Sequence, residues 1–562
     1  MTSRGAGRRL SDPIVWVLAA GFLAGLAHLF VLPLFEGFDE TAHYSSVQLI
    51  ADEGRIPAYG KDRFAKDVVD YLSDAPGPYL ATPPIVDGGG LTYAEIFTSP
   101  EREATAREMI AGRPAKARAF APAGPLNWEA QHPPLSYLLL APVYQATKTL
   151  DWKTHLFLLR LFCLIVATAG LAIGVYATKA HLAADRSLYG RYAPLIMAAW
   201  PFYAPMFTLE MARLGNDAFC LFFAGLAWAA LLRFLEAPRG AARSRFNWAL
   251  MLGLALGMGA LVKAFFLPVA AGVVVFLAIR DVVAARAAGA LGAKPLFTAL
   301  APAATAALVF IGVAGWWYGA SLAGAGSLTG ANDILRLKAE GDFSALLADR
   351  FSWDLFWRRM LQNYLSFLWA GTWSFATPPS ITIIVLGVFA ALVVGRYLVA
   401  LFIDLPKNAL AWAPLFIFAP LEAGIVYHAL TQLAMGEAGV GTPGWYFHIF
   451  AAPFGLAYAI GATALWRRAA GRIFLGAALV YSLFFAMAAE FYLLGVYSGC
   501  VVKPGPEADF RPAACFGDLG EMARRLDVVA NPAMAGAAIL LAAGAAAVAV
   551  LLVVRHARAS RP

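Results

Sequence analysis

The sequence predicts an all-α, polytopic membrane protein with about twelve transmembrane helices. Three observations carry that prediction. Of 562 residues, 60% are hydrophobic and 14% charged, whereas a soluble domain is nearer roughly 25% charged. Apolar runs of about twenty residues recur, each long enough to cross a hydrocarbon core of about 30 Å. The runs are continuous rather than alternating, which excludes a β-barrel. The net charge of +8 falls in short loops, and no Lys/Arg-rich block is interleaved with aromatics, so no nucleic-acid partner is expected.

The first span is 13–35. Arg4, Arg8 and Arg9 precede it, and no small-x-small cleavage site follows, so it reads as a retained helix with a cytoplasmic N-terminus (1–35). A long loop runs from 36 to 133, with 15 Asp/Glu against 9 Lys/Arg. The apolar stretch from Pro134 to Thr147 is too short to span and reads as a juxtamembrane helix, closing a unit 36–153. Spans two to seven fall at 154–178, 192–209, 216–235, 246–262, 264–283 and 297–320 (together 154–320). After a loop at 321–378, spans eight to twelve fall at 379–402, 409–433, 445–466, 472–496 and 533–554 (together 379–562).

The Lys/Arg bias orients the set. Arg233, Arg239, Arg243 and Arg245, then Arg280, Arg286 and Lys294, then Arg467, Arg468 and Arg472, all fall on one side with both termini. That side is read as cytoplasmic, and the long loops as extracytoplasmic. Segment 355–373 mixes Arg358, Arg359 and Gln362 with Phe356, Trp357, Leu361, Leu365 and Trp369, the pattern of a helix lying on the membrane. Cys163 and Cys220 lie inside apolar runs. Cys500 and Cys515 share the polar loop 497–532, where an oxidising compartment would favour a disulfide over two free thiols.

Five constellations could carry chemistry. Asp39, Glu40 and His43 follow the first span, and ionisable groups beside lipid are costly and often functional. A carboxylate there suits a general base that deprotonates a hydroxyl, or a ligand for a divalent cation. The alternative is a solvated helix end. Glu129 and His132 precede the short apolar helix, with Pro133 and Pro134 suited to a helix start; simple capping is the alternative. Glu210, Arg213, Asn216 and Asp217 occupy a tight outer turn, where Asp217 could equally be an N-cap. Lys263 sits between two apolar runs, either snorkelling or holding a phosphate, and Arg160 is a similar candidate. The segment Gly441–His448 opens the tenth span. Tyr446 is either a site residue or part of the interfacial belt, and His448 either a ligand or a core histidine. No P-loop, Rossmann fingerprint, GxSxG, HExxH or paired CxxC occurs.

These elements resemble the GT-C superfamily of polytopic glycosyltransferases. The likeness rests on Asp39-Glu40-Thr41-Ala42-His43 after span one, on His132-Pro133-Pro134-Leu135, and on the Lys263 turn, with Val262 where the superfamily has Thr. Within it, a group of bacterial multipass proteins of unsettled function is similar. That group has a Ser-Phe-Trp-Gly-like segment, matched loosely by Ser366-Phe367-Leu368-Trp369-Ala370-Gly371. It also has a Gly-Arg-Tyr element, where this chain reads Gly444-Trp445-Tyr446. The resemblance implies an inverting transferase in a bacterial inner (plasma) membrane, acting on the extracytoplasmic side. A polyprenyl-phosphate-linked sugar would be the donor, and an envelope glycan, lipid or exported protein the acceptor.

By that likeness Asp39 is the catalytic base, supported by Glu40. His43, Glu129, His132, Arg213, Asn216, Asp217, Lys263, Arg160, Tyr446 and His448 would contact substrate. No cofactor is implied, and a divalent cation is left open. Two rivals remain: a lipid-linked-sugar flippase, which needs polar groups across the middle of the spans, and a polysaccharide ligase or polymerase using a diphosphate-linked oligosaccharide.

Overall fold

Among the described residues, ten helices are long and apolar enough to cross a membrane. The computed structural model describes residues 10–76, 91–112, 117–289, 292–329, 337–436, 443–503 and 510–559. Arg4, Arg8 and Arg9, and Gly441 and Thr442 of the fifth constellation, lie outside them. The ten are Pro13–Val31, Trp152–His181, Asp217–Glu236, Phe266–Ala287, Ala293–Gly324, Ser380–Ile403, Ala409–Ala434, Gly444–Trp466, Ala469–Tyr497 and Pro532–Arg555.

Two expected spans differ. The stretch 192–209 is broken into Leu188–Ala198, Trp200–Tyr203 and Met206–Met211. Pro201 and Pro205 explain the breaks, since proline removes a backbone donor and disfavours helix in the residue before it. The stretch 246–262 is a helix, Ala242–Ala260, but its first turns carry Arg243, Ser244, Arg245 and Asn247, so it is not apolar enough to count with the ten.

Local chemistry sets several helix starts. Asp12 accepts a hydrogen bond from the Ile14 N–H at 3.2 Å, with Pro13 in the first helical position. Asp151 caps Trp152–His181 by accepting from Thr154 N at 3.0 Å. That helix crosses Asp217–Glu236 at glycines. A Cβ on Gly225 would lie 2.2 Å from the Gly170 carbonyl oxygen, so only glycine allows this approach, as in other small-residue helix crossings within membranes.

The first loop folds onto one end of the helices and shares their hydrophobic core. It contains Glu40–Glu53, Lys66–Asp74, Tyr93–Ile96 and Pro100–Gly112, and a two-stranded antiparallel ribbon pairs Arg63–Ala65 with Pro122–Leu126. Phe35, Tyr44 and Tyr71 pack edge-on or stacked against Trp152, which joins loop to helix. The short apolar stretch is a helix of 13 residues, Leu135–Thr147, and is not one of the ten. The amphipathic stretch is the helix Trp353–Leu368, which ends before Trp369; it exposes Trp353 (66%) and Trp357 (60%) and buries Met360. Cys500 and Cys515 are bridged, beside a small ribbon of Val501–Val502 and Arg511–Pro512.

Candidate active site at one end of the helices

Asp39 sits in the left-handed backbone region, φ 58°, just ahead of the helix Glu40–Glu53. Its Oδ1 accepts a hydrogen bond from Trp128 Nε1 at 2.9 Å, and no described residue donates to Oδ2. Six carboxylates meet at this end of the molecule. Glu36, Glu40, Glu129, Glu210 and Asp217 are buried, and Asp39 alone keeps a partly exposed surface. Crowding by its neighbours and the nearby Glu129 charge raise its pKa to about 6, against the opposing pull of Arg213.

Three non-glycine residues adopt positive φ among the described residues: Phe35, Asp39 and Phe375. Such conformations cost of order 1–3 kcal/mol each and gather at functional sites. Phe35 directly precedes the buried carboxylate Glu36, and Phe375 directly follows one of its partners, Ser374. Glu36 Oε2 accepts from Tyr93 Oη at 2.7 Å, and its Oε1 accepts from Thr372 Oγ1 at 2.7 Å and Ser374 N at 2.8 Å. Its own carbonyl accepts from Trp373 N at 2.9 Å. Burial pushes the Glu36 pKa up, against these donors.

Glu40, expected beside Asp39 in catalysis, is otherwise engaged. Its Oε1 accepts from Arg160 Nε at 2.7 Å and Leu214 N at 2.8 Å, and its Oε2 accepts from Arg160 Nη2 and from Gly37 N at 3.1 Å. Arg160 also donates to the Leu32 and Pro33 carbonyls. Both side chains are buried and their bonds filled, so Glu40 and Arg160 fasten the turn to the helix Trp152–His181. Neither leaves a side-chain nitrogen or oxygen without a partner among the described residues.

The second constellation comes to the same place. Asn127 Oδ1 accepts from Glu129 N at 2.9 Å, while its Nδ2 donates to the Ala42 carbonyl at 3.0 Å, docking this turn on Glu40–Glu53. Glu129 Oε2 lies 3.2 Å from His132 Nε2 and 3.5 Å from His43 Nδ1, and accepts from Tyr137 Oη at 3.4 Å. Burial works against the Glu129 charge, but His132 and Lys263 outweigh it and hold its pKa below the usual carboxylate range. Burial lowers the His43 pKa to about 3, so this imidazole is neutral at pH 7. Glu129 is thus a fixed negative charge rather than a cap.

The third and fourth join as one charge chain. Arg213 donates to Glu210 Oε1 at 2.5 Å, to Asp217 Oδ2 at 2.8 Å and to the Phe38 carbonyl. Asp217 Oδ1 accepts from Lys263 Nζ at 2.8 Å. Asp217 is therefore not an N-cap, since Asn216 occupies that position. Asn216 is fully buried, and its side-chain amide finds no partner among the described residues. Lys263 Nζ lies 4.1 Å from the centre of the Tyr446 ring, a cation–π contact; it points into the protein and does not snorkel. The Leu135 N–H donates to the Leu261 carbonyl at 3.1 Å, linking the His-Pro-Pro-Leu element to the Lys263 turn.

His448 is a core histidine. Its Nε2 meets the Phe367 carbonyl at 2.8 Å, its Nδ1 accepts from Trp200 Nε1 at 3.2 Å, and its ring stacks on Phe367 at 4.5 Å. It contacts the Ser366-to-Gly371 segment instead of the site, which corrects its expected substrate role. Ser366 Oγ also accepts from Gly444 N at 2.7 Å, so the two loosely matched motifs pack on each other.

Sequence reasoning missed Glu36, Trp128 and Tyr137. Trp128 and Tyr137 flank a constellation already singled out, which was the available signal. Glu36 offered only its place at the head of the acidic stretch. For the divalent cation left open, no group of three or more His, Cys, Asp or Glu suited to a metal occurs among the described residues. Of the carboxylates around Asp39, Glu40, Glu129, Glu210 and Asp217 are taken by arginine, lysine or histidine, and Glu36 by Tyr93, Thr372 and Ser374.

No family model and no curated protein matches this chain. It is similar in structure to ArnT from Cupriavidus metallidurans bound to undecaprenyl phosphate, with 13% identity and a TM-score of 0.44 over 98% of this chain and 77% of that one. It is also similar to the Archaeoglobus fulgidus oligosaccharyltransferase in complex with zinc and sulfate, with 13% identity and a TM-score of 0.41 over 84% and 52%. Both solved proteins are polytopic glycosyltransferases of the GT-C superfamily. At these scores the functional reading rests on the site itself.

Proposed function

We propose that the protein is an inverting membrane glycosyltransferase that takes its sugar from a polyprenyl-phosphate donor, with Asp39 as general base. The observation that carries this is the contrast among the six carboxylates. Five are buried and four of these are bound to cations or histidines, while Asp39 keeps an open oxygen and a pKa near 6. A base works best with a pKa near the operating pH. The cationic pair Arg213 and Lys263 lies close enough to act on the Asp39 charge, and is suited to a phosphate.

In this mechanism Asp39 Oδ2 takes the proton of an acceptor hydroxyl. The acceptor oxygen attacks the anomeric carbon, and the carbon–oxygen bond to the lipid phosphate breaks. That bond's electron pair leaves on the phosphate, whose charge Lys263 and Arg213 offset. Glu129, His43, His132, Asn216, Asp217 and Tyr446 shape the surrounding pocket, and Glu40 and Arg160 hold the turn. The acceptor is an envelope glycan, lipid or exported protein. The Cys500–Cys515 bridge belongs to the site end of the molecule, through Gly499 packed on Tyr93 and Ala94. Disulfides persist in oxidising compartments, which supports an extracytoplasmic site in a bacterial inner membrane.

The test supplies purified protein with a radiolabelled polyprenyl-phosphate sugar and envelope extract. Wild type is expected to transfer label, and Asp39→Asn to lose the activity. Equal transfer by the two would remove Asp39 from catalysis.

A further inference from the structure

A line of aromatic rings runs from the charge chain past Asp39. Tyr446, under Lys263, is followed by Trp445, 6.0 Å away between ring centres. Trp445 stacks on Phe38 at 4.5 Å, nearly parallel. Phe38 in turn meets Phe375 at 5.3 Å and Trp373 at 5.7 Å. Phe38 and Trp445 are buried, whereas Trp373, Phe375 and Tyr446 are only half-buried. The line therefore has a cation at one end, two partly open rings at the other, and the residue before Asp39 in the middle.

The far end is held in place deliberately. Glu36 grips Thr372, Trp373 and Ser374 by side chain or backbone, and Trp369 Nε1 donates to the Ala376 carbonyl at 3.2 Å. Phe375 is fixed at φ 50°, a conformation a bulky side chain avoids unless its surroundings impose it. An interfacial belt needs no such fixing: Trp353 and Trp357 lie on an ordinary helix face and are mostly exposed. A sugar ring attached to a phosphate has the matching order of chemistry, anion first and apolar C–H face next. Arg213 donates to the Phe38 carbonyl, so a cation also lies beside the residue on whose ring Trp373 and Phe375 pack.

We infer that Trp373 and Phe375 form the seat for the donor's sugar ring, with Glu36 as the positioning residue that fixes them. This rests on the lipid-phosphate donor proposed above. The rings stack on the apolar face of a pyranose while Arg213, which donates to the carbonyl of Phe38 beside Asp39, holds the phosphate.

The experiment compares binding of undecaprenyl-phosphate-glucose and sugar-free undecaprenyl phosphate to the full chain in lipid nanodiscs. Wild type is expected to hold the sugar-bearing lipid about tenfold more tightly, the scale of one good ring contact. Phe375→Gly removes a ring at a position whose backbone suits glycine, so the fold is kept. It and Trp373→Ala are expected to bring the ratio close to one, and Trp373→Phe to restore most of it. A wild type that holds both lipids equally, or variants that keep the wild-type ratio, would overturn the seat. Asp39→Asn is assayed alongside for transfer. Undiminished transfer by that variant defeats the base assignment and leaves the binding ratio to decide the seat.

Discussion

Asp39 is poised rather than merely present. Its pKa is raised to about 6, so the ionised, proton-accepting form dominates above that pH and is lost below it. Transfer should accordingly rise with pH through about 6 and level off above it, read from initial rates at saturating donor. The indole of Trp128 opposes the rise by donating to Asp39. Trp128→Phe removes that donor, and its rate profile should shift toward higher pH; a shift toward lower pH would contradict the assignment. Asp39→Asn cannot accept the proton and should slow transfer by roughly 10²–10⁴-fold. Unlike Asp39, Glu129 stays charged throughout, and its role is to set the field in which Asp39 titrates.

The element that carries Asp39 is a turn, and the turn is held by a bolt. Glu40 and Arg160 satisfy each other and three backbone groups of the turn in a buried place. Removing one partner of such a pair costs about 3–5 kcal/mol, because a buried charge is stranded, whereas replacing both by apolar groups is often tolerated. Arg160→Met should therefore lower the melting temperature in detergent strongly, and Glu40→Leu with Arg160→Met should recover much of the loss. If Glu40→Gln abolished transfer at unchanged stability and unchanged backbone order, Glu40 would belong to the chemistry instead. The same contrast explains what was readable in the chain. Asp39, Glu129, His132, Arg213 and Lys263 stood out because charge beside lipid is expensive. Glu40 and Arg160 stood out for the same reason, yet they answer that expense by pairing across 120 residues. Charge near lipid identifies a place and leaves open whether it serves binding or construction. Glu36 was illegible because its partners are scattered, Tyr93 57 residues away and Thr372 and Ser374 more than 330. The breaks in 192–209 were marked by prolines, but hydropathy averages over them.

At the scale of the molecule, the site gathers at one end and the short basic loops at the other. Lys179 pairs with Asp12, and Arg245 and Arg280 with Asp281, at that opposite end. The proposed orientation has a direct check. A membrane-impermeant maleimide should label Thr105→Cys in intact cells, and reach Arg239→Cys only after permeabilisation. Both positions are exposed, so the reverse pattern would turn the site toward the cytoplasm. The expected resemblance rested on three short motifs, and the structure brings all three to one place, although they are spread from Asp39 to Lys263.

That spread also sets the order in which the site can come into being. The Asp39 turn directly follows the first membrane helix, so it leaves the ribosome early. Its bolt, Arg160, is made 120 residues later. The grip of Glu36 on Ser374 waits for a residue 338 positions after Glu36, and Phe38 meets its stacking partner only when Trp445 is made. During synthesis three carboxylates, Glu36, Asp39 and Glu40, must therefore stay in water without their lasting partners. The segment of the site that is made first is the last to be finished, and a chain cut short before Trp445 should carry every acidic residue of the site and yet transfer nothing.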